Sequence, residues 1–138
     1  MAQVYYLALA EVLALHEAVM EKFAQGPAPL RSEGLLESAV MRARMASYYA
    51  NADLIRQCAL LTVGISQAQA FMDGNKRTAF AAGDVFLRLN GLAFSGDPLE
   101  LALQLEAVAE RQGDLEGATD SFEHWLRDYV SPVEEEGI

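Results

Sequence analysis

Residues 73–77 bring together side chains that bind metal ions and phosphate groups. Asp73 supplies a carboxylate, a hard oxygen ligand that suits a Mg²⁺ ion held partly by protein and partly by phosphate oxygens. Lys76 and Arg77 add two positive charges to a chain whose net charge is −10 and which has two lysines in all. The combination predicts a site for a phosphate group and its magnesium ion.

The segment also falls where an anion site can form from the backbone. One apolar, helically periodic stretch ends near Phe71 and another begins at Arg77, so Asp73 to Lys76 is predicted to be a short connection between helices. Gly74 permits the positive φ of a tight turn. The free N–H groups that open the second helix attract anions, and Asn75 is expected to donate to phosphate or to hold the loop. Ordinary turn chemistry with two solvated cations is the alternative that these residues alone leave open.

Residues 69–77 resemble the signature loop of the Fic/Doc family, His-x-Phe-x-(Asp/Glu)-Gly-Asn-(Gly/Lys)-Arg. The matching positions are Phe71, Asp73, Gly74, Asn75, Lys76 and Arg77. Gln69 stands where the family has its catalytic histidine. The similarity extends over residues 4–130 and includes 11–16, 34–39 and 85–91, which makes the resemblance more than a local motif.

Two positions favour the Doc (death-on-curing) branch of the family over Fic enzymes. Lys76 stands where Fic enzymes have glycine, and Phe80 stands where they usually have a second arginine. Fic enzymes transfer a nucleotidyl group to target hydroxyls. The Doc resemblance instead implies a bacterial toxin that uses ATP with Mg²⁺ to phosphorylate the translation elongation factor Tu. It also implies a separate antitoxin as partner, since Ser131 to Glu136 does not match the inhibitory helix of other family members.

The resemblance implies a role for each motif residue. Asp73 would hold Mg²⁺, Phe71 would anchor the loop in the core, and the phosphates would be bound by Gly74, Asn75, Lys76 and Arg77. The base that activates the acceptor hydroxyl maps onto Gln69, whose carboxamide does not titrate near neutrality. Losing a general base typically lowers the rate by about 10²–10⁴.

Gln69 leaves three functional hypotheses open. A transferase would keep residual activity if the carboxamide orients the nucleophile, because phosphoryl transfer depends mainly on positioning and charge. The second hypothesis is a pseudoenzyme that serves as a nucleotide- or antitoxin-binding module. The third is nucleotide hydrolysis with Gln69 positioning water.

His16 and His124 are the two histidines, and packing or surface roles are favoured for both. Tyr48 and Tyr49 lie near the family's target-docking flap, although core packing or loop surface is the preferred interpretation.

Length and composition limit the number of domains and the classes of binding partner. The 138 residues suit one domain, here 1–130, followed by an acidic tail at 131–138 that we expect to be disordered. The charge of −10 argues against direct binding of nucleic acid and disfavours anionic membranes. The N-terminus does not resemble a signal peptide and no apolar run is long enough for a membrane span, so a cytoplasmic protein is expected. The single Cys58 is predicted to be a buried, unreactive thiol.

The periodicity predicts an all-α fold, a compact single-domain bundle of about six helices with at most a tiny β ribbon. The predicted helices are Leu9–Ala24, Ser32–Arg44, Asp53–Phe71, Arg77–Asn90, Asp97–Arg111 and Asp120–Val130. Met45–Asp53 is predicted to be irregular, and Gln3–Tyr6 is the expected partner of Leu92–Phe94 in the ribbon. The helix from Arg77 is expected to be the central, buried one, with Asp84 paired to Arg88.

Overall fold

The structure is a computed structural model that describes residues 3–23, 26, 28–111 and 113–133. Within these ranges the helices are α1 (Leu9–Lys22), α2 (Glu33–Ala50), α3 (Leu54–Ala68), α4 (Asn75–Leu89), α5 (Pro98–Glu110) and α6 (Leu115–Arg127). The strands are β1 (Leu92–Phe94) and β2 (Val130–Pro132). The predicted all-α class is therefore confirmed. None of the helices described is long and apolar enough to cross a membrane.

Helix α3 occupies the centre of the bundle and contacts α2, α4, α5 and α6. The prediction that the following helix would be the central one is wrong, because α4 exposes Lys76 and Arg77 at its start and Leu89 at its end. Close approach of α3 and α4 depends on Gly83, where a Cβ atom would collide with the Thr62 hydroxyl. The core therefore forms around α3, and both ends of α4 lie at the surface.

Cys58 lies on α3, inside this core. Its side chain is 2% exposed, and its thiol donates to the carbonyl oxygen of Gly83 at 3.6 Å. Burial raises the pKa of the Cys58 thiol to about 12, so the reactive thiolate is disfavoured. The prediction of a buried, unreactive thiol is confirmed.

Several predicted helix ends and ion pairs are confirmed. The side chain of Ser32 accepts from the Leu35 N–H (3.2 Å) at the start of α2. The carboxylate of Asp97 accepts from the Leu99 N–H (2.9 Å) at the start of α5. Gly91 has the positive φ (79°) expected just past the end of α4. The Asp84–Arg88 ion pair is also present, with 3.3 Å between Oδ2 and Nε.

The largest departures from the predicted helix boundaries are at the end of α2 and the start of α6. Helix α2 continues to Ala50, so the stretch from Met45 is helical where an irregular segment was expected. Its methionine and alanine residues favour a helix, and the helix ends only at Asn51, which adopts a left-handed φ of 54°. Helix α6 begins at Leu115 instead of Asp120, because the Asp114 carboxylate caps it through the Gly117 N–H (3.0 Å).

The ribbon exists, but one of its predicted strands is wrong. β1 pairs with β2 in antiparallel fashion, with Leu92 opposite Pro132 and Phe94 opposite Val130. The N-terminal segment is held differently, because the Asn90 side chain accepts from the Tyr5 N–H and donates to the Tyr5 carbonyl, both at 2.9 Å. The ribbon thus uses two residues that were assigned to the acidic tail, while residues 134–138 lie outside those described.

Candidate phosphate-binding site

The motif residues form a loop between α3 and α4. Helix α3 ends at Ala68, three residues before the predicted end at Phe71, because its cap Gln69 has a left-handed φ of 52°. Helix α4 begins at Asn75, two residues earlier than predicted. Gly74, with φ 81°, precedes the first residue of α4. These two positive φ values set the course of residues 69–74, hereafter the 69–74 loop.

One side of the 69–74 loop is tied to the segment that precedes α2. The Met72 N–H donates to the Pro29 carbonyl (3.0 Å), and the Arg31 N–H donates to the Ala70 carbonyl (2.6 Å). These bonds run in both directions between the two segments, as in a short antiparallel pair. They fix the backbone of the loop independently of its side chains.

Phe71 and Asn75 lock the loop from within. The Phe71 ring is 2% exposed, in agreement with its predicted anchoring position. The Asn75 side chain is also buried; its Oδ1 accepts from the Phe71 N–H (3.1 Å), and its Nδ2 donates to the Phe71 carbonyl (2.9 Å). Of the two roles that the sequence leaves open for Asn75, the structure shows the one in which it holds the loop.

Helix α1 packs against the buried side of the loop. The buried imidazole of His16 stacks on Phe71, with 3.6 Å between ring centroids and 6° between ring planes. Its Nε2 lies 2.9 Å from the Asp73 carbonyl oxygen, and because a carbonyl only accepts, Nε2 is the donor. A Cβ atom on Gly74 would lie 2.7 Å from the Met20 sulfur. Glycine is therefore favoured there by its φ, and a larger residue would also require the Met20 side chain to shift.

The start of α4 leaves backbone donors free. The first bond of the helix joins the Thr78 N–H to the Gly74 carbonyl (2.9 Å), and Gly74 has no side chain to cap the turn. Across the described part of the chain, the N–H groups of residues 75–77 have no acceptor. Beside them lies an open cleft of about 340 Å³, lined by Gln69 and the six residues from Met72 to Arg77, hereafter the loop cleft. Free N–H groups and the helix dipole favour an anion at this position.

The charged side chains of the motif all border the loop cleft. Lys76 places its Nζ 3.7 Å from Oε1 of Glu106 on α5. The Arg77 guanidinium lies 4.0 Å from the centroid of the Phe23 ring, which holds it by a cation–π contact. Asp73 accepts the Gly74 N–H at Oδ1 (2.7 Å), which leaves Oδ2 for another partner. The cleft thus combines two cations with one carboxylate.

Gln69 borders the same cleft but offers no proton acceptor that titrates. Its Nε2 donates to the Ser66 carbonyl (3.0 Å) and its Oε1 receives a long bond from Asn75 (3.5 Å). His124 lies on α6 and is absent from the lining. Tyr48 and Tyr49, each 81% exposed on α2, are also outside it. Every predicted motif residue except Phe71, which is buried, therefore borders the cleft, and neither histidine does.

Comparison with known proteins agrees with this geometry. The model of the Fic/DOC family matches residues 6–87, which is more than half of the chain. The chain belongs to the Fic/Doc family. The match includes α1, the 69–74 loop and most of α4, the elements that form the site in this Fic/Doc protein.

A relative of this Fic/Doc protein supports the Doc branch. Toxin Doc of Mycolicibacterium smegmatis is 37% identical over 95 residues, which are 66% of this chain and 73% of the relative. This likeness agrees with the assignment to the Doc branch that rests on Lys76 and Phe80.

The donor set of this Fic/Doc protein suits a metal bound together with phosphate. Among the residues that the structure describes, no group of three or more His, Cys, Asp or Glu side chains is placed to hold a metal ion. Asp73 supplies the one carboxylate in the lining of the loop cleft. Mg²⁺ commonly binds through one or two carboxylates, with phosphate oxygens and water completing its shell. The residues therefore fit Mg²⁺ carried by a nucleotide, and they do not form a metal site by themselves.

His16 and Phe23 contact the motif although sequence reasoning gave neither a part in the site. His16 was expected to have a packing or surface role, which its burial bears out, but its bond to the loop was missed. A signal existed, because Val12, His16 and Met20 recur every four residues and form the buried face of α1. A histidine on such a face needs a hydrogen-bond partner. Phe23, just past the end of α1, carried no comparable signal.

Proposed function

We propose that this Fic/Doc protein is a Doc-like toxin of a toxin–antitoxin pair. It would bind ATP with Mg²⁺ in the loop cleft and transfer a phosphoryl or nucleotidyl group to a hydroxyl of a protein target such as a translation elongation factor. The free N–H groups at the start of α4, flanked by Lys76 and Arg77, carry this proposal. Likeness to a relative named Toxin Doc supports the toxin role and a cognate antitoxin as partner.

The chain's own residues account for part of the chemistry. ATP would supply the transferred group, and Mg²⁺ would neutralise charge on its phosphates. Lys76, Arg77 and the backbone donors would hold and orient those phosphates and stabilise charge on them. In a phosphoryl transfer the hydroxyl oxygen bonds to the terminal phosphorus, the bond to the bridging oxygen breaks, and ADP leaves. The hydroxyl proton would pass to water, because Gln69 cannot take it, and the reaction would be slow.

Gln69 also motivates the alternative of a pseudoenzyme that acts as a nucleotide- or antitoxin-binding module. Its amide is bonded to the Ser66 carbonyl at the end of α3. In that position one of its two amide hydrogens is used, and a carboxamide does not take a proton from a nucleophile as imidazole does. Nucleotide hydrolysis with Gln69 positioning water is the third and weakest alternative.

A labelling experiment separates these functions. The protein is incubated with Mg²⁺ and with ATP labelled at either the α or the γ phosphate, in the presence of elongation factor Tu and, separately, cell lysate. Label on a protein target that disappears in Asp73→Ala supports the transferase, and the labelled position identifies the group transferred. Label that appears only in Gln69→His indicates a binding module with an intact site.

A matched pair of variants tests the binding step itself. Lys76→Ala removes the lysine of the loop cleft, while Lys22→Ala removes the same charge from α1, outside the cleft lining. Nucleotide affinity should fall in the first variant and change little in the second. Equal affinities in both variants and in the unaltered protein would exclude nucleotide binding at the loop cleft.

A further inference from the structure

The peptide group between Asp73 and Gly74 is held at both of its polar atoms. The Asp73 carbonyl oxygen accepts from His16 Nε2 at 2.9 Å, and the Gly74 N–H donates to the Asp73 carboxylate at 2.7 Å. A carbonyl oxygen and the following N–H belong to one rigid plane. Rotation of that plane would break both bonds together, so the two contacts stabilise the same orientation.

Two features of the loop cleft depend on this orientation. The Asp73 carboxylate lines the loop cleft, and its Oδ1 is directed by the Gly74 N–H. Gly74 is also the residue that immediately precedes α4, so the same plane determines the position of the free N–H groups at the start of that helix. Its positive φ of 81° is a conformation that glycine leaves readily, because glycine has many other accessible states. The plane therefore needs an external partner, and His16 supplies it.

We propose that His16 is a positioning residue for the loop cleft, acting through its Nε2–H bond to the Asp73 carbonyl. The imidazole is 5% exposed and lies outside the cleft lining, so it does not touch a bound phosphate. It holds the Asp73 carboxylate and the start of α4 in the arrangement that binds one. This inference rests on the proposed nucleotide site, although the effect on the loop is measurable without any nucleotide.

The stacked Phe71 ring offers a competing explanation, in which His16 matters only as packing. The two explanations predict opposite rankings of two variants by how much function each retains. His16→Phe keeps a ring to stack on Phe71 but has no donor for Asp73. His16→Gln loses the ring and keeps a terminal N–H₂ group that reaches about as far as Nε2. Positioning by the hydrogen bond predicts that Gln preserves function better than Phe, and packing predicts the reverse.

The same substitutions at His124, which is exposed on α6, serve as matched controls. The first measurement is amide hydrogen exchange of Met72 and Gly74 in the free protein. We expect exchange about five- to tenfold faster in His16→Phe, the factor typical of one lost hydrogen bond, and within about twofold of the unaltered protein in His16→Gln. The second measurement is a calorimetric titration with Mg²⁺ and a non-hydrolysable ATP analogue. The affinity for the analogue should be lowered in His16→Phe and close to that of the unaltered protein in His16→Gln.

The outcomes also separate this inference from the proposed function. If neither the unaltered protein nor Lys76→Ala binds the analogue, the proposed function fails, while hydrogen exchange still decides the role of His16. If the analogue binds and His16→Phe matches the unaltered protein in both measurements, the positioning role is overturned. It is equally overturned if His16→Gln is the more damaging variant, because packing would then be the contribution of His16.

Discussion

Nζ of Lys76 lies 3.7 Å from Oε1 of Glu106, so the lysine of the loop cleft faces a carboxylate of α5. A phosphate that enters the cleft must compete with Glu106 for this ammonium group. Both side chains are about half exposed, and such pairs contribute between about 0.2 and 1 kcal/mol. In the proposed site, the contact would therefore slightly lower the affinity for an anion.

Glu106→Gln should therefore raise the affinity of the loop cleft for inorganic phosphate and for ATP by about two- to fivefold. Calorimetric titration at low ionic strength measures these affinities. The increase in affinity should be smaller in about 1 M salt, where charges are screened. Glu116→Gln, at the start of α6, changes the net charge equally and controls for the overall field. An equal gain in the control would show that net charge, and not the Lys76 contact, limits binding.

Gly74→Ala should destabilise the protein and abolish phosphate binding. Alanine resists the left-handed φ, and its Cβ would lie 2.7 Å from the Met20 sulfur and 3.4 Å from the His16 ring. Gly91 has nearly the same φ, 79°, with nothing within 4 Å, so Gly91→Ala isolates the cost of the backbone. Denaturant unfolding should show a loss of about 1–2 kcal/mol for Gly91→Ala and about 1 kcal/mol more for Gly74→Ala. Equal losses would mean that α1 moves aside without cost.

Asn75→Ala should lower both stability and phosphate affinity. It removes the two bonds to the buried Phe71 backbone, and unsatisfied buried groups cost about 2–4 kcal/mol in total. Asn90→Ala is the comparison, since Asn90 binds both polar groups of the Tyr5 backbone in the same way at a half-buried position, and it also donates to the Phe86 carbonyl (2.8 Å). The comparison variant should lose less stability in denaturant unfolding and keep its phosphate affinity. Unchanged phosphate affinity in Asn75→Ala would contradict the role of Asn75 in shaping the loop.

The sequence is most informative where local chemistry decides the structure. The caps at Ser32 and Asp97 and the turn at Gly91 follow from contacts within a few residues. The family resemblance extends this to the site, because fixed spacing places Asp73 and Lys76 on one loop. Local rules and motif spacing therefore predict most helices and the composition of the cleft.

Contacts between distant segments are the part that local patterns miss. The partner of β1 is wrong in the prediction because the Asn90 side chain, and not a strand, satisfies the Tyr5 backbone. The extension of α2 to Ala50 was also missed. The support of the motif by His16 joins residues 57 positions apart, and no spacing rule in a single sequence reports it.

An ion-pair cluster joins the start of α3 to α6 and gives the fold a pH-dependent element. Arg127 binds both Asp53 (3.0 Å) and Glu123 (2.8 Å), and Arg56 binds Glu123 (3.0 Å) from the other side. The hydrogen bond from Arg127 holds the pKa of the Asp53 carboxyl below its ordinary value of 3.8. Because the folded-state pKa is depressed, the stabilisation is present above the unfolded value and disappears as the pH falls through the folded value.

Asp53→Asn should therefore cost less than about 1 kcal/mol at pH 7, since the pair is largely exposed. The difference should begin to shrink as the pH falls below the ordinary pKa of 3.8 and should vanish below the depressed folded-state pKa. Asparagine keeps a side-chain oxygen for the Arg56 N–H that caps α3, so the substitution removes the charge and not the cap. Denaturant unfolding of both proteins between pH 7 and pH 3 measures the difference, and Asp97→Asn at the start of α5 is the matched control. A difference that stays constant across this range would show that the effect of Asp53→Asn does not come from the charge in its ion pair.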